Sequence, residues 1–230
     1  DIYSIEVNHW LFQAAITAFK VKSPDLIYLT TTDYVTHKFP PEAEESKWNI
    51  NRIDCLLGEL LNVSSDIELV LTADHGMNPK TRALDLGRIL KAGGITAKAI
   101  PIIKDRYVVH HQNLGGAAYI YLQDPATIDD AMAILKEEPG VETVLRNNAA
   151  AQKYHLHPQR IGHLFILGDR DTVFGALPGP RETVKIRSHG SLHEQEIPIY
   201  AYGPGPESAR PQSNLDVAKW IFDPSRRCLQ

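Results

Sequence analysis

Cysteine is scarce in this chain of 230 residues, since only Cys55 and Cys228 occur. Cys55 lies among apolar residues at helical spacing, so we interpret it as a small core residue and not as half of a disulfide. The apolar fraction of 43% is close to that of ordinary globular proteins. The sequence therefore predicts a fold that is stabilised by a hydrophobic core, without a disulfide framework.

Long apolar runs and clusters of one charge are also absent from the sequence. No run approaches the roughly 18 residues that a membrane span needs, and no signal peptide is visible at the start. The formal net charge is −4. Because neither sign is clustered, no basic stripe suggests nucleic acid and no basic amphipathic helix suggests a membrane surface. We therefore expect a soluble, cytoplasmic protein that binds neither nucleic acid nor membranes.

The first part of the chain has the pattern of an α/β core. Two continuous apolar and β-branched runs, "LIYLTTTD" (26–33) and "IELVLTAD" (67–74), are typical of strands buried on both faces. Apolar residues at helical spacing predict a helix before the first run and another after it, and a short helix is predicted around 83–90. The first helix is expected to bury Val7, Trp10, Leu11, Ala14 and Phe19. Alternating strands and one-sided helices favour a mostly parallel sheet with helices on both faces.

A middle region with a different pattern interrupts this core. The run "GGAAYIYLQDPATIDDAMAILKEEPGVETVLR" predicts strand, helix and strand in succession, and "IGHLFILGD" (161–169) predicts a further strand. Glycine and proline bracket the region on both sides. We therefore predict an α+β cap at 95–183, inserted into a core formed by 1–94 and 184–230. Within that core, "EIPIYAYGPG" (196–205) is expected to rejoin the sheet, and "NLDVAKWIF" is expected to be a closing helix.

Side chains that commonly bind metals follow both predicted core strands. The first strand ends in Asp33, with His37 four positions later, and the second ends in Asp74 and His75. His189, in "RSHGSLHEQEIPIY", precedes the last core strand. Because ligands gather beyond the carboxyl ends of parallel strands, we expect the three segments to meet at one edge. A mixture of carboxylate and imidazole favours zinc, manganese or iron over calcium and magnesium.

The number of candidate ligands favours two metal ions. Five side chains exceed what one tetrahedral ion requires, and two ions roughly 3.5–4 Å apart can clamp the attacking and leaving oxygens in phosphoryl transfer. Each motif alone is weak evidence, because an Asp-x-x-x-His spacing is common and Asp74-His75 could be an ordinary cap and turn. We interpret His193 as a surface residue. Only the joint pattern indicates a metal centre.

The combination of "TTDYVTHK", "TADHGM" and "RSHGSLHEQ" resembles the motifs of the alkaline phosphatase superfamily. Within it, the chain is similar to the nucleotide pyrophosphatase/phosphodiesterase branch, and most closely to the phosphonoacetate hydrolases. The resemblance covers nearly the whole chain. It implies an alkaline phosphatase-like core, a site with two zinc ions (manganese or iron being alternatives), and hydrolysis of the C–P bond of phosphonoacetate to acetate and phosphate. Members of the family are often homodimers, and the sequence leaves the oligomeric state open.

The resemblance implies roles for individual residues. Asp33, His37 and His189 match the three ligands of one zinc ion, while Asp74 and His75 match two ligands of the other. The nucleophile of the family is a threonine in a segment that precedes the part matched by the start of this chain, and we find no counterpart here. We therefore expect the chain as given to bind zinc but to hydrolyse phosphonoacetate poorly.

Three further histidines depend on the same resemblance. His110 or His111, in "YVVHHQNLGG", matches a histidine that contacts the substrate, although a structural polar pair at a strand end is an equal alternative. His163 departs from the family pattern, which has an aspartate there.

Two other functions remain open. A phosphodiesterase or phosphomonoesterase would use the same metal-binding edge and differ in its substrate pocket. A non-catalytic metal-binding fragment or interaction domain would bind the ion without chemistry. A serine hydrolase is disfavoured, because the sequence contains no G-x-S-x-G elbow.

Overall fold

The structure is a computed structural model that describes residues 3–105, 112–203 and 211–222. Its elements in chain order are α1 (Glu6–Lys22), α2 (Tyr34–Lys38), α3 (Glu44–Leu61), β1 (Leu69–Thr72), β2 (Asn78–Leu84), α4 (Leu86–Ala92), β3 (Ala97–Pro101), β4 (Ala117–Leu122), α5 (Ile128–Lys136), β5 (Val141–Arg146), α6 (Asn147–Tyr154), β6 (Leu164–Gly168), β7 (Thr172–Phe174), β8 (Arg181–Ser188), β9 (Ile199–Tyr202) and α7 (Asn214–Phe222). None of the described helices combines the length and apolar character needed to cross a membrane.

The chain divides into two compact units. Unit 1 comprises Asp1–Asp74 and Glu196–Gln230, and unit 2 comprises His75–Gln195. The predicted boundaries of the inserted cap lie at other positions, after 94 and after 183. The difference arises because β2 pairs with β7 and β8, so that β2 and β8 belong to unit 2. The division into core and cap stays a prediction about the family fold.

Unit 1 is built around two helices and a two-stranded sheet. Helices α1 and α3 pack together around a small core of Phe12, Ile16, Leu56, Leu60 and Ile67. Strands β1 and β9 pair antiparallel, with Leu69 opposite Tyr202 and Thr72 opposite Ile199. The strand expected within 196–205 is therefore confirmed as β9, but among the described strands it joins a two-stranded sheet with β1 and not a larger parallel sheet. The expected closing helix is confirmed as α7.

The segment 26–33 is a correction to the sequence analysis. Within the described residues it forms no strand, and exposure alternates along it, with Leu29 packed against the small core while Tyr28 is 87% exposed. An apolar run indicates a buried strand only if neighbouring strands and helices cover it, and the run itself does not contain that information. The segment is covered on one side only.

The predicted inner face of α1 is wrong in part, although Phe19 packs against the small core as expected. The buried residues are Asn8, His9, Phe12, Ala15 and Ile16. Trp10, predicted to be inside, is 62% exposed. Both sets have helical spacing, and the observed face contains Asn8, whose buried side chain is hydrogen-bonded to Thr32, which a hydrophobic pattern does not predict. Cys55 is exposed for a similar reason, since its neighbour Leu56 is the α3 residue that points into the core.

Unit 2 contains a three-stranded sheet and a four-stranded sheet. The first has the order β7-β2-β8 and the second has the order β3-β4-β6-β5. Side chains alternate along β4 and β6, so that Ile120 and Ile166 join a large core with α4 and α5, while Phe165 and Leu167 join a second core with α6. The predicted succession of strand, helix, strand and strand in this region is confirmed. The helix predicted around 83–90 begins instead at Leu86, after β2, with Asp85 as its cap.

The α/β class is confirmed, and the detail of the strand directions differs from the prediction. Among the described strand pairs of the named sheets, β2 and β7 run parallel and the others run antiparallel. The expected parallel sheet depended on the segment 26–33, which is not a strand here, and on β1, whose described partner is antiparallel. The expectation of helices on both faces holds for the four-stranded sheet of unit 2.

Candidate metal centre

The first pair of candidate ligands lies in unit 1, at the start of α2. Asp33 is the residue before this short helix, and His37 is four positions later, so both side chains lie on one face. The Oδ2 atom of Asp33 and the Nε2 atom of His37 are 3.0 Å apart. The His37 side chain is 1% exposed and that of Asp33 is 41% exposed. The carboxylate therefore faces partly outward while the imidazole is held inside.

The geometry of this pair fits a metal ion. Zinc binds imidazole nitrogen and carboxylate oxygen at about 2.0–2.2 Å, which places two tetrahedral ligand atoms about 3.3 Å apart. The observed separation of 3.0 Å is close to that value. The donor types are those that zinc, manganese and iron accept. The pair therefore provides two suitably spaced donors.

A buried amide fixes the backbone immediately before this pair. Asn8, on α1, is 2% exposed. Its Oδ1 atom accepts a hydrogen bond from the Thr32 amide at 2.9 Å, and its Nδ2 group donates to the Thr32 carbonyl at 3.1 Å. The side chain thus pairs with both backbone groups of the residue before Asp33, as a neighbouring strand would. This contact explains why a polar residue lies on the buried face of α1.

The second pair lies in unit 2 and comes from two distant segments. The rings of His75 and His189 are stacked, with centroids 3.5 Å apart and planes inclined by 7°. His75 Nδ1 lies 3.0 Å from the Gly76 carbonyl oxygen. The His189 carbonyl accepts a hydrogen bond from the Gly116 amide at 2.7 Å. Two imidazole donors, both only partly exposed, therefore lie side by side.

Three other predicted site residues have different outcomes. Asp74 is exposed and is the last residue of unit 1 before the chain enters unit 2. His110 and His111 lie outside the described residues, so their predicted contact with a substrate stays a prediction. The convergence of all five candidate ligands at one edge is likewise still a prediction.

Two histidines outside the predicted ligand set have structural partners. His193 Nε2 lies 2.7 Å from a carboxylate oxygen of Glu142, at a partly exposed position that agrees with its interpretation as a surface residue. His163 Nδ1 accepts a hydrogen bond from the Leu122 amide at 2.9 Å, and its own amide donates to Ile120 at 2.7 Å. The family pattern has aspartate at this position. His163 here extends the hydrogen bonding between β4 and the chain that leads into β6.

Unit 2 also contains a buried ion pair that the sequence pattern does not predict. Lys80 Nζ lies 2.9 Å from Glu194 Oε1, and the two side chains are 0% and 1% exposed. Burial opposes ionisation of Glu194, but hydrogen bonds from Asn78, Lys80 and Ser191 outweigh it and keep the pKa of this carboxyl below its ordinary value. A lysine close after "ADHGM" and a glutamate close after "SHG" were the only signals in the sequence.

Comparison with known proteins identifies the family. A model of the type I phosphodiesterase/nucleotide pyrophosphatase family matches residues 3–192, most of the chain. The chain belongs to this family.

Solved structures of two other proteins resemble this chain. Phosphonoacetate hydrolase from Sinorhizobium meliloti, solved in complex with phosphonoformate and with phosphonoacetate, is 32% identical, with a TM-score of 0.83. The match covers 96% of this chain and 56% of that one. Murine ectonucleotide pyrophosphatase/phosphodiesterase 5 is 21% identical, with a TM-score of 0.60, over 87% of this chain and 52% of that one. This second likeness shows the fold alone, and the chain spans about half the length of both structures.

Proposed function

We propose that the protein supplies metal ligands to a hydrolase that cleaves the C–P bond of phosphonoacetate, giving acetate and phosphate. The observation that carries the proposal is the match to phosphonoacetate hydrolase over 96% of this chain at a TM-score of 0.83. The two pairs of candidate ligands support it, because each brings two donors of the kind that zinc prefers within a short distance. The proposal concerns a whole hydrolase, because the matched phosphonoacetate hydrolase is longer than this chain.

In this proposal, Asp33, His37 and His189 bind one zinc ion, and Asp74 and His75 provide two ligands of a second. When bound, zinc supplies Lewis acidity that polarises a phosphoryl oxygen. The residues themselves orient lone pairs of carboxylate and neutral imidazole toward a fixed point. Burial of His37 restricts the directions in which its ring points. Manganese or iron would suit the same donors.

The leaving group of this reaction needs its own stabilisation. Breaking the C–P bond leaves the electron pair on the acetate carbon, and water supplies the proton and the oxygen that complete acetate and phosphate. A positive or hydrogen-bonding group near the acetate carboxylate stabilises the charge that develops. We propose separately that His110 or His111 contacts the substrate.

A second candidate function is hydrolysis of a phosphodiester or phosphomonoester. The family model that matches residues 3–192 favours it, since it describes phosphodiesterases and nucleotide pyrophosphatases. Both reactions would use the same metal ligands, and they differ in the group that leaves phosphorus.

The test compares three substrates on the purified protein after loading with zinc, manganese or iron. We expect release of phosphate from phosphonoacetate to exceed hydrolysis of p-nitrophenyl phosphate and of bis(p-nitrophenyl) phosphate. Faster turnover of either ester would favour the second candidate. Zinc binding with little or no turnover of all three substrates is the result expected if these 230 residues lack the nucleophile, and it would support the non-catalytic alternative for the chain as given.

Ligand substitutions give a test that does not depend on turnover. His37→Ala and His189→Ala each remove a proposed ligand, and we expect each to weaken zinc binding more than about 100-fold, beyond the effect usual for second-layer residues. His193→Ala is the matched control, because this nearby histidine pairs with Glu142 instead. A competition titration with a chelator measures all three. Equal affinity in His37→Ala and the parent would refute the ligand assignment.

A further inference from the structure

The two histidines of unit 2 come from segments that meet around one carboxylate. The first segment runs from His75 into β2, and the second runs from His189 to the short 3₁₀ helix Leu192–Glu194. Glu194 is the last residue of that helix and is 3% exposed. Both its backbone and its side chain contact the first segment.

The side chain of Glu194 accepts four hydrogen bonds. Oε1 accepts from Asn78 Nδ2 at 2.7 Å and from Lys80 Nζ at 2.9 Å, both on β2. Oε2 accepts from the Ser191 amide at 2.9 Å and from the Ser191 hydroxyl at 2.7 Å. An ionised carboxylate has about four acceptor positions and no donor, so this arrangement uses its full capacity. One oxygen binds the His75 segment and the other binds the turn after His189.

The backbone of Glu194 adds a link close to His75. Its carbonyl accepts a hydrogen bond from the Gly76 amide at 2.7 Å. Asn78 also donates to the His193 carbonyl at 3.0 Å. Because Gly76 directly follows His75, the bond from the Gly76 amide to the Glu194 carbonyl fixes the backbone beside His75.

The turn after His189 is held on its other side by close packing. The Gly116 amide donates to the His189 carbonyl at 2.7 Å. Gly190 has a φ of 103°, a conformation that favours glycine, and a Cβ atom there would lie 2.1 Å from Ile102 Cδ1. A Cβ atom on Gly116 would lie 2.5 Å from the Ser191 amide nitrogen. The turn is therefore closely packed on this side, and the contacts of Glu194 join its other side to the His75 segment.

We propose that Glu194, together with Lys80, is a positioning residue that keeps the imidazoles of His75 and His189 side by side for metal binding. The inference rests on the proposed function only for the metal, since the ring contact belongs to the protein itself. Lys80 Nζ also donates a hydrogen bond to the Arg170 carbonyl at 2.7 Å, and this bond anchors the ion pair to the loop before β7. Metal ligands commonly depend on such surrounding groups, whose loss costs about 10- to 100-fold in affinity.

Glu194→Gln is the most informative substitution. Glutamine has nearly the same size, but its NH₂ group would face two of the four donors and could not accept from them. We expect the stacked contact between the two rings, observed by NMR in the metal-free protein, to be lost. Amide exchange at Gly76 and Gly116 should become faster, and zinc affinity should fall at least about 10-fold.

Glu138→Gln is the matched control in the same unit. Glu138 accepts two hydrogen bonds from Arg181 at 2.6 Å, and its side chain is 5% exposed. Arg181 pairs with Leu84 at one end of the β2–β8 ladder, whereas Ser188 pairs with Asn78 at the other. The control therefore disrupts a buried carboxylate at the far end from the histidines. We expect it to lower stability and to leave the ring contact and the zinc affinity unchanged.

The outcomes separate this inference from the proposed function. A ring contact that persists in Glu194→Gln overturns the inference, and so does equal loss of the contact in both variants. A parent protein that shows the ring contact but binds no zinc contradicts the proposed function alone. If Glu194→Gln does not fold, Ser191→Ala removes only the hydroxyl donor, and it should weaken the same contact and the zinc affinity to a smaller extent. An unchanged contact in that folded variant would also overturn the inference.

Discussion

Unit 1 and unit 2 each hold two candidate ligands together, but they use different kinds of contact. In unit 1, Asp33 and His37 are neighbours on one turn of α2, and one buried amide, Asn8, fixes the backbone before them. In unit 2, His75 and His189 come from remote segments that a buried ion pair joins. A local pair needs little support from the fold, whereas a remote pair depends on every contact that sets the distance between its segments.

The two units also differ in the extent of their hydrophobic cores, and the core of unit 2 is the larger. The four-stranded sheet of unit 2 has buried apolar side chains on both faces. The core cluster of α1 and α3 in unit 1 has five buried members, and of the large exposed hydrophobic residues that the structure describes, all except Ile102 lie in unit 1. Since burial of apolar surface is the main favourable term in folding, we expect unit 2 to be the more stable.

Core substitutions give the largest expected effects and test this comparison. Leu164 in unit 2 and Leu56 in unit 1 are both 0% exposed. Truncating either to alanine should cost about 2–5 kcal/mol of stability, because it removes packing and leaves a cavity. Leu56→Ala should lower the urea concentration at the midpoint of unfolding monitored by tryptophan fluorescence, called here the tryptophan transition. This signal reports on unit 1, because all three tryptophans, Trp10, Trp48 and Trp220, lie there.

Hydrogen exchange provides the corresponding measurement for unit 2. Leu164→Ala should reduce the protection of amides in β4 and β6 while the tryptophan midpoint changes little. Matched shifts of both signals in both variants would show that the units unfold together, and the comparison would then fail.

Local patterns in the sequence were enough to predict several elements. Strands β4 and β6 alternate between two apolar cores, and α5 has one apolar face, so each element contains its own signal. The spacing of Asp33 and His37 is local in the same sense. The strand β2, "NPKTRAL", has no such signal, because its polar side chains obtain partners from remote segments, as Lys80 does from Arg170 and Glu194.

The other errors have one physical origin. The segment 26–33 and the inner face of α1 were assigned by hydrophobicity, but burial there depends on partners elsewhere in the chain. Asn8 is inside because Thr32 offers it two backbone groups, and Glu194 is inside because four donors surround it. Polar residues of this kind look exposed in a sequence, although their burial is stabilised by hydrogen bonds that only the fold supplies.

The buried amide of unit 1 gives an effect of intermediate size. Asn8→Ala leaves the backbone groups of Thr32 without their side-chain partner, and we expect a loss of about 1–3 kcal/mol. The tryptophan transition in urea measures it, and exchange of the Thr32 amide should become faster. Gln13→Ala, at an exposed position on the same helix, is the control and should stay within about 0.5 kcal/mol. If the two variants are equally stable, the amide is not a specific support of the Asp33 segment.

The smallest expected effect is a change in how unit 2 responds to acid. The pKa of Glu194 lies below its ordinary value, because hydrogen bonds from Asn78, Lys80 and Ser191 outweigh the opposing effect of burial. A lowered carboxyl pKa contributes stability that is present above the unfolded-state value, about 4.3, and is lost as the pH falls through the folded-state value. Protection of unit 2 amides should therefore decrease below about pH 4.3.

The variant Glu194→Gln shows whether this carboxyl causes the decrease. Glutamine does not titrate, so protection in unit 2 should start lower and fall less steeply with acid than in the parent. The acid dependence of the tryptophan signal should be the same in both proteins, because Glu194 belongs to unit 2 while the tryptophans belong to unit 1. Parallel acid profiles for the unit 2 amides in parent and variant would mean that the Glu194 network does not stabilise this unit through its charge.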